Sequence, residues 1–206
     1  MIAEDRRAHW NRVYSTKAEK ERSWYQSYPM TSMEIVQSLN LPKDAAILDV
    51  GGGDSYFVDA LLDAGYTNLW VLDISAQAIS NAQQRLGTRA LDVHWIISDV
   101  LDFNPEVQFA FWHDRAAFHF LVDSTEVERY VSLAERVILE GGHLMVGTFS
   151  DKGPKRCSGL DIQQYAEASM VRVFNQGFNC RWYREEDHHT PFDTTQNFLF
   201  GCFERT

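Results

Sequence analysis

The chain of 206 residues is 45% hydrophobic and carries 19 Lys and Arg against 29 Asp and Glu, a formal charge of −10. It is long and apolar enough for one domain with a full core, and too acidic to set up a field that draws in nucleic acid, which is therefore left out of the expected partners. Cys157, Cys180 and Cys202 are odd in number and far apart, which argues against a disulfide framework or a metal site; with no membrane-spanning apolar run and no secretory leader, the expected setting is cytoplasmic, with no membrane contact.

Residues 4–40 read as helices broken near Tyr28-Pro29, with Met33, Ile35, Val36 and Leu39 at helical spacing before Pro42. From Ala45 the pattern turns to strand, turn and helix in repetition. Ile47–Val50 is a strand, Tyr56–Ala64 a helix stopped by Gly65, and Leu69–Leu72 a strand running into Asp73. Ser75 caps a helix over Ala76–Leu86, followed by strands at Val93–Ile97 and Phe109–His113. Val127–Leu139 is a helix stopped by Gly141-Gly142, and His143–Thr148 is a fifth strand. Asp151–Leu160 reads as a loop, Ile162–Asn175 as a helix, and Arg181–Glu185 and Asn197–Glu204 as strands with no helix between them, an antiparallel ending. The alternation predicts an α/β fold with a doubly wound, mostly parallel sheet, residues 1–40 forming a helical lid on a core of residues 41–206 within a single domain.

The stretch Ala46–Ser55 places the ligand. An apolar run enters Gly51-Gly52-Gly53, and a glycine turn after a first strand lets a ligand touch bare backbone. Asp49, Asp73 and Asp99 fall at the ends of successive strands, where open parallel sheets bind ligands. An acid after the second strand suits ribose hydroxyls, and one after the third suits an adenine amino group. A dinucleotide fingerprint would place a third glycine at Tyr56, and it is missing. Asp49, Gly51, Gly53 and Ser55 fit an acid-x-Gly-x-Gly-x-small pattern, suited to an amino-acid-bearing nucleoside without pyrophosphate, whose ammonium Asp49 can meet.

On these motifs, from about Trp10 to the end, the chain resembles the class I S-adenosylmethionine-dependent methyltransferases. The turn Leu48–Ser55, the acid in Val71-Leu72-Asp73-Ile74-Ser75, and Ser98-Asp99-Val100 occur in the family's order, and Ser55 stands where the family usually has glycine. The resemblance implies a Rossmann-like seven-stranded sheet with an antiparallel last strand. It implies S-adenosylmethionine as cofactor, giving S-adenosylhomocysteine, and a cofactor site drawn from Tyr14, Trp24, Asp49, Gly51, Gly53, Ser55, Asp73, Ile74, Asp99, Val100 and His113.

The acceptor side is read from Phe109–Phe120. Asp114-Arg115 followed by two small residues looks like the Asp-Arg/Lys-Gly-Ala/Thr segment of thiopurine S-methyltransferases and of eukaryotic protein-lysine methyltransferases, with Ala116 replacing their glycine. Ser23-Trp24-Tyr25-Gln26, Arg156–Leu160 and His189-Thr190-Pro191 resemble a broad bacterial group of relatives. Asp114 and His119 are the catalytic candidates, Asp114 as anchor or base and His119 as either a catalytic group or a core histidine. Trp24, Tyr25, Asp114, Arg115, Cys157 and His189 are the substrate candidates, with Lys155 and Arg156 placed to lower the Cys157 thiol pKa. His188-His189 are expected in a loop at the pocket rim. The leading function is methyl transfer to a small-molecule thiol, amine or carboxylate. The alternatives are a protein-lysine N-methyltransferase and, more remotely, an NAD-dependent oxidoreductase or a non-catalytic nucleotide-binding module.

Overall fold

Every strand that the periodicity predicts is present in the computed structural model, which describes residues 3–206. Strands β1 (Ile47–Val50), β2 (Leu69–Asp73), β3 (Val93–Ile97), β4 (Phe109–Arg115) and β5 (Ile138–Phe149) are joined by a short hairpin, β6 (Arg156–Cys157) and β7 (Leu160–Asp161), to the long pair β8 (Phe178–His189) and β9 (Thr195–Arg205). The main sheet has seven strands in the order β3-β2-β1-β4-β5-β9-β8. β1 to β5 are parallel, and β9 runs against both β5 and β8. The chain winds outward from β1 to β3 and then returns to the other side of β1, so the crevice opens at the carboxyl ends of β1 and β4.

The two faces of the sheet are covered by different helices because side chains alternate along each strand. Leu48, Trp112 and Leu144 lie in register on one face, packed with α5 (Ser124–Val137) and α6 (Glu167–Phe174) through Tyr130, Ala134 and Phe174. Ile47, Phe111 and Met145 face the other way, against α2 (Met30–Ser38), α3 (Phe57–Asp63) and α4 (Ala76–Leu86) through Val36, Leu61 and Ile79. Phe109 and Phe111 are two apart yet belong to opposite faces, because the β4–β5 register shifts between them. Ser75 caps α4 as expected, accepting from the Ala78 amide at 3.2 Å.

Several boundaries differ from the sequence reading. The α5 helix ends at Val137, because buried Ile138 turns extended to pair with Phe109, and Leu139–Gly142 fill the irregular start of β5. Residues 162–166 are not helical: the Gln163 amide donates to the His119 carbonyl (2.8 Å) and the Tyr165 amide to the Phe149 carbonyl (3.1 Å), so tertiary bonds take the backbone that a helix would use. His188 and His189 lie in β8, not in a loop, paired with Gln196 and Thr195.

The N-terminal helix α1 (Ala3–Thr16) is separated from α2 by a much longer break than Tyr28-Pro29, containing one 3-10 turn at Glu19–Glu21. Among its described residues α1 buries only Val13 and Tyr14 of its apolar side chains, so polar bonds hold it down. Asn11 Oδ1 accepts from Ser75 Oγ (2.9 Å) and from the Gln77 amide (3.2 Å), and Arg6 bridges Asp99 (3.1 Å) and Glu126 (2.8 Å). These contacts lay α1 across the carboxyl ends of β2 and β3. Among the described residues no helix is long and apolar enough to cross a membrane.

Candidate functional site

The glycine turn is packed too tightly for any side chain. Gly51 and Gly53 have φ of +64° and +53°, and a Cβ on Gly51 would lie 2.4 Å from that of Ala117. A Cβ on Gly52 would meet Asp49 Oδ2 at 2.5 Å, and one on Gly53 would meet the Tyr14 hydroxyl at 2.7 Å. Gly51→Ala is expected to lower the thermal midpoint, since the left-handed backbone costs a β-carbon about 1 kcal/mol and the contact with Ala117 adds to it. An unchanged melting curve would refute that account.

Asp49 lies inside β1, one residue before its end, and is buried. His113 Nδ1 donates to its Oδ1 at 2.6 Å, and Ser32 Oγ of α2 lies 2.8 Å from His113 Nε2. The His113 ring stacks on Phe57 with centroids 4.0 Å apart. A short polar chain thus runs from α2 through His113 to the acid beside the glycine turn.

The other two acids close the opposite end. Asp73 ends β2, and its Oδ1 accepts from the Ser75 amide at 2.7 Å. Burial, with Asp54 and Asp49 nearby, outweighs the amide bonds and raises its carboxyl from 3.8 to about 7. Asp99 begins the 3-10 turn after β3, with Oδ1 accepting from the Leu101 amide at 3.0 Å. Its Oδ2 is buried without a hydrogen bond, facing the Arg6 guanidinium at 3.1 Å.

Two clefts meet over the glycine turn. The first has Asp73, Ile74, Asp99 and Val100 on one wall and Trp10, Phe120 and Cys157 on another. The second lies around Asp49, Ser55, His113, Ser32 and Tyr25. Tyr14, Trp24, Gly51 and Arg115 line both clefts and form the waist between them.

Four of the sequence-predicted site residues reach neither cleft. Asp114 is fully buried, with Oδ1 accepting from the amides of Ala117 (3.1 Å) and Phe118 (3.0 Å) and Oδ2 from the Tyr130 hydroxyl (2.8 Å). The carboxylate is spent on the turn after β4, so the structure corrects its reading as anchor or base. His119 is likewise buried, stacked on Phe149 at 4.7 Å with neither ring nitrogen partnered, and burial pushes it down to about 3; it is a neutral core residue. His189 is exposed on the edge strand β8, while its neighbour His188 points inward and bonds the Ser23 carbonyl at 2.7 Å. Gly53 underlies the turn, and Gly52, which the pattern passed over, lines the second cleft.

Two further expectations change. Tyr25 lines the second cleft, away from the Trp10 and Phe120 wall. The Cys157 thiol is raised by burial to about 11 rather than lowered, and Arg156 pairs with Asp161 at 3.0 Å. The sequence reading missed Arg6, Ser32 and a buried pair between Arg22 and Asp54 in the second cleft. Arg22 also donates to the Lys17 carbonyl and lies 4.8 Å over the Tyr14 ring. No local spacing marks these residues, since each acts across a gap in sequence.

The residues present fit the expected S-adenosylmethionine. Asp99 Oδ2 is an acceptor without a hydrogen bond, Asp73 offers a second oxygen, and the glycine turn is a cradle that any Cβ would fill. Asp49 lies in the other cleft.

Comparison with known proteins bears on the family and the fold. A family described as "Methyltransferase domain" matches residues 47–142. The mouse EEF1A lysine methyltransferase 2 (Mus musculus) is 28% identical over 193 residues, covering 84% of this chain and 71% of that protein. The longer mouse eEF1A lysine and N-terminal methyltransferase is 24% identical over 145 residues, 66% of this chain, and the match spans only 20% of its length. A solved structure described as "Conversion of a Disulfide Bond into a Thioacetal Group during Echinomycin Biosynthesis" superposes with a TM-score of 0.80 at 19% identity, covering 97% of this chain and 92% of that one.

Proposed function

Because the chain belongs to the class I S-adenosylmethionine-dependent methyltransferases, with S-adenosylmethionine as cofactor, we propose that it transfers the methyl group to a small-molecule nucleophile held beneath the N-terminal helices. The observation that carries this reading is the aromatic roof. Trp10 meets Trp24 at 5.9 Å and Phe120 at 5.0 Å, and Trp24 meets Tyr14 at 6.2 Å, so the wall opposite the adenosine end is closed by rings rather than open to a peptide chain.

The cofactor supplies a methyl group already activated on a sulfonium centre. In this reading Asp73 accepts from ribose hydroxyls and Asp99 from the adenine amino group, beside Ile74 and Val100. Asp49, held by His113 and Ser32, takes the ammonium, and Gly51 lets the backbone approach. Tyr14 and Trp24 at the waist face the sulfonium, where an aromatic face favours a cation. The roof excludes water and fixes the nucleophile in line. Among the described residues the Trp10, Trp24 and Phe120 wall carries no carboxylate or imidazole, so the accepting atom must arrive with its lone pair free. The similarity to lysine methyltransferases supports a protein-lysine acceptor as the second reading.

Incubation of a source-cell extract with methyl-labelled cofactor, followed by separation by size, tests the two. Label is expected in the small-molecule fraction; label confined to protein lysine would overturn the reading.

A further inference from the structure

The waist of the site holds a positive charge that the chain leaves unpaired. Arg115 ends β4 and lines both clefts. Its NH1 donates to the Trp24 carbonyl at 3.0 Å, its Nε is buried without a partner, and its Cζ lies 4.9 Å from the Phe198 ring centre. Among the described residues no carboxylate comes within ion-pair distance of it. The two other guanidinium groups in the clefts are both matched, Arg6 by Asp99 and Glu126, Arg22 by Asp54.

The acids that act on Arg115 from further away are committed elsewhere. Glu186 accepts from Thr31 Oγ1 at 2.6 Å and from Arg184 at 3.2 Å, and Asp49 is held by His113. Burial lowers Arg115 only to about 10, so it stays cationic at neutral pH. Nearby Cys157 stays a neutral thiol, because burial raises it to about 11. An unpaired, poorly solvated charge is costly, and a guanidinium fork matches a carboxylate in geometry as well as charge. An ammonium would meet only repulsion there.

On the reading that the methyl acceptor is held against the aromatic wall of the first cleft, opposite the adenosine wall, we propose that the acceptor is a small organic anion, whose carboxylate pairs with Arg115 and whose apolar body lies against Trp10, Trp24 and Phe120. Arg115 lines the first cleft as well as the second, so it can reach an acceptor held against that aromatic wall.

The test uses the full chain saturated with S-adenosylhomocysteine and titrated calorimetrically with benzoate, benzamide and benzylamine, which share a ring and differ in charge. Benzoate is expected to bind about tenfold or more tightly than benzamide, as a charge-assisted pair requires, and benzylamine not at all. Arg115→Gln should abolish the preference for benzoate and Arg115→Lys should keep part of it, with thermal unfolding reporting that each variant is folded. Equal binding of the three probes, tighter binding of benzylamine, or a preference for benzoate that survives Arg115→Gln would each overturn the proposal. So would a loss of S-adenosylhomocysteine affinity in Arg115→Gln without anion preference in the parent, which would assign Arg115 to the cofactor's carboxylate. Failure of the parent chain to bind S-adenosylhomocysteine would instead overturn the methyltransferase reading itself.

Discussion

Asp114→Ala is expected to destabilise the chain by about 3–5 kcal/mol. The carboxylate has no exposed surface and accepts three hydrogen bonds: from the Ala117 and Phe118 amides and from the Tyr130 hydroxyl. Tyr130 in turn accepts from Trp112 Nε1 at 2.9 Å, so one carboxylate ties β4 and the turn that follows it to α5. That turn is itself strained, with Ala116 at φ +67°. Alanine would leave three buried donors unpaired at about 1–3 kcal/mol each before relaxation, and their coupling through Tyr130 makes partial rescue poor. Asparagine keeps one acceptor oxygen, so Asp114→Asn should lose less stability and retain S-adenosylhomocysteine binding. Urea unfolding followed by tryptophan fluorescence measures the first effect and calorimetry the second. An alanine variant as stable as the parent but unable to transfer methyl groups would restore Asp114 to the chemistry.

Asp114 also marks where sequence reasoning reaches its limit. The motif located the right turn, since Asp114-Arg115 does end the strand beside the glycine turn, but residue type cannot say which neighbour faces the ligand. Arg115 lines the clefts and Asp114 turns into the core. The central strands were legible because they are short apolar runs bounded by glycine or acid, and two-sided burial imposes that pattern. The full length of β8 was not, because this edge strand runs on through Glu186, Asp187, His188 and His189, where a central strand would carry apolar residues. The Asp49, Asp73 and Asp99 series was legible because strand ends converge. Ser32 and Arg22 were not, since their partners lie 81 and 32 residues away, a distance that only the folded chain closes. The Cys157 thiol was misread for a related reason: its basic neighbour in sequence is paired elsewhere in space.

Asp73→Asn is expected to move stability and cofactor affinity in opposite directions. The carboxyl of the folded chain is raised from 3.8 to about 7, chiefly by burial and then by Asp54 and Asp49. Between these two values the native state holds a proton that the unfolded state has lost, so stability falls as pH rises from about 4 to about 7 and is level above. Asparagine cannot ionise and still accepts from the Ser75 amide. At pH 8 the cofactor-free variant should therefore be the more stable protein, by up to about 4 kcal/mol, with that part of the pH slope gone. The cofactor reverses the sign. Ribose hydroxyls donate best to an ionised carboxylate, so binding must expel the proton, and S-adenosylhomocysteine affinity of the parent should climb with pH until about 7 and then level. In the variant the affinity should drop about tenfold to a hundredfold at pH 8, because a hydrogen bond to a charged acceptor contributes about 1.5–3 kcal/mol and an amide oxygen replaces it poorly. The pH dependence of binding should flatten with it. Calorimetric titrations and thermal melts of both proteins at pH 5, 6, 7 and 8 separate these effects. A variant that binds S-adenosylhomocysteine as tightly as the parent across that range would remove Asp73 from the ribose site. A variant no more stable than the parent at pH 8 would mean that its buried charge is already compensated by the neighbouring amides of Ser75 and Gly53.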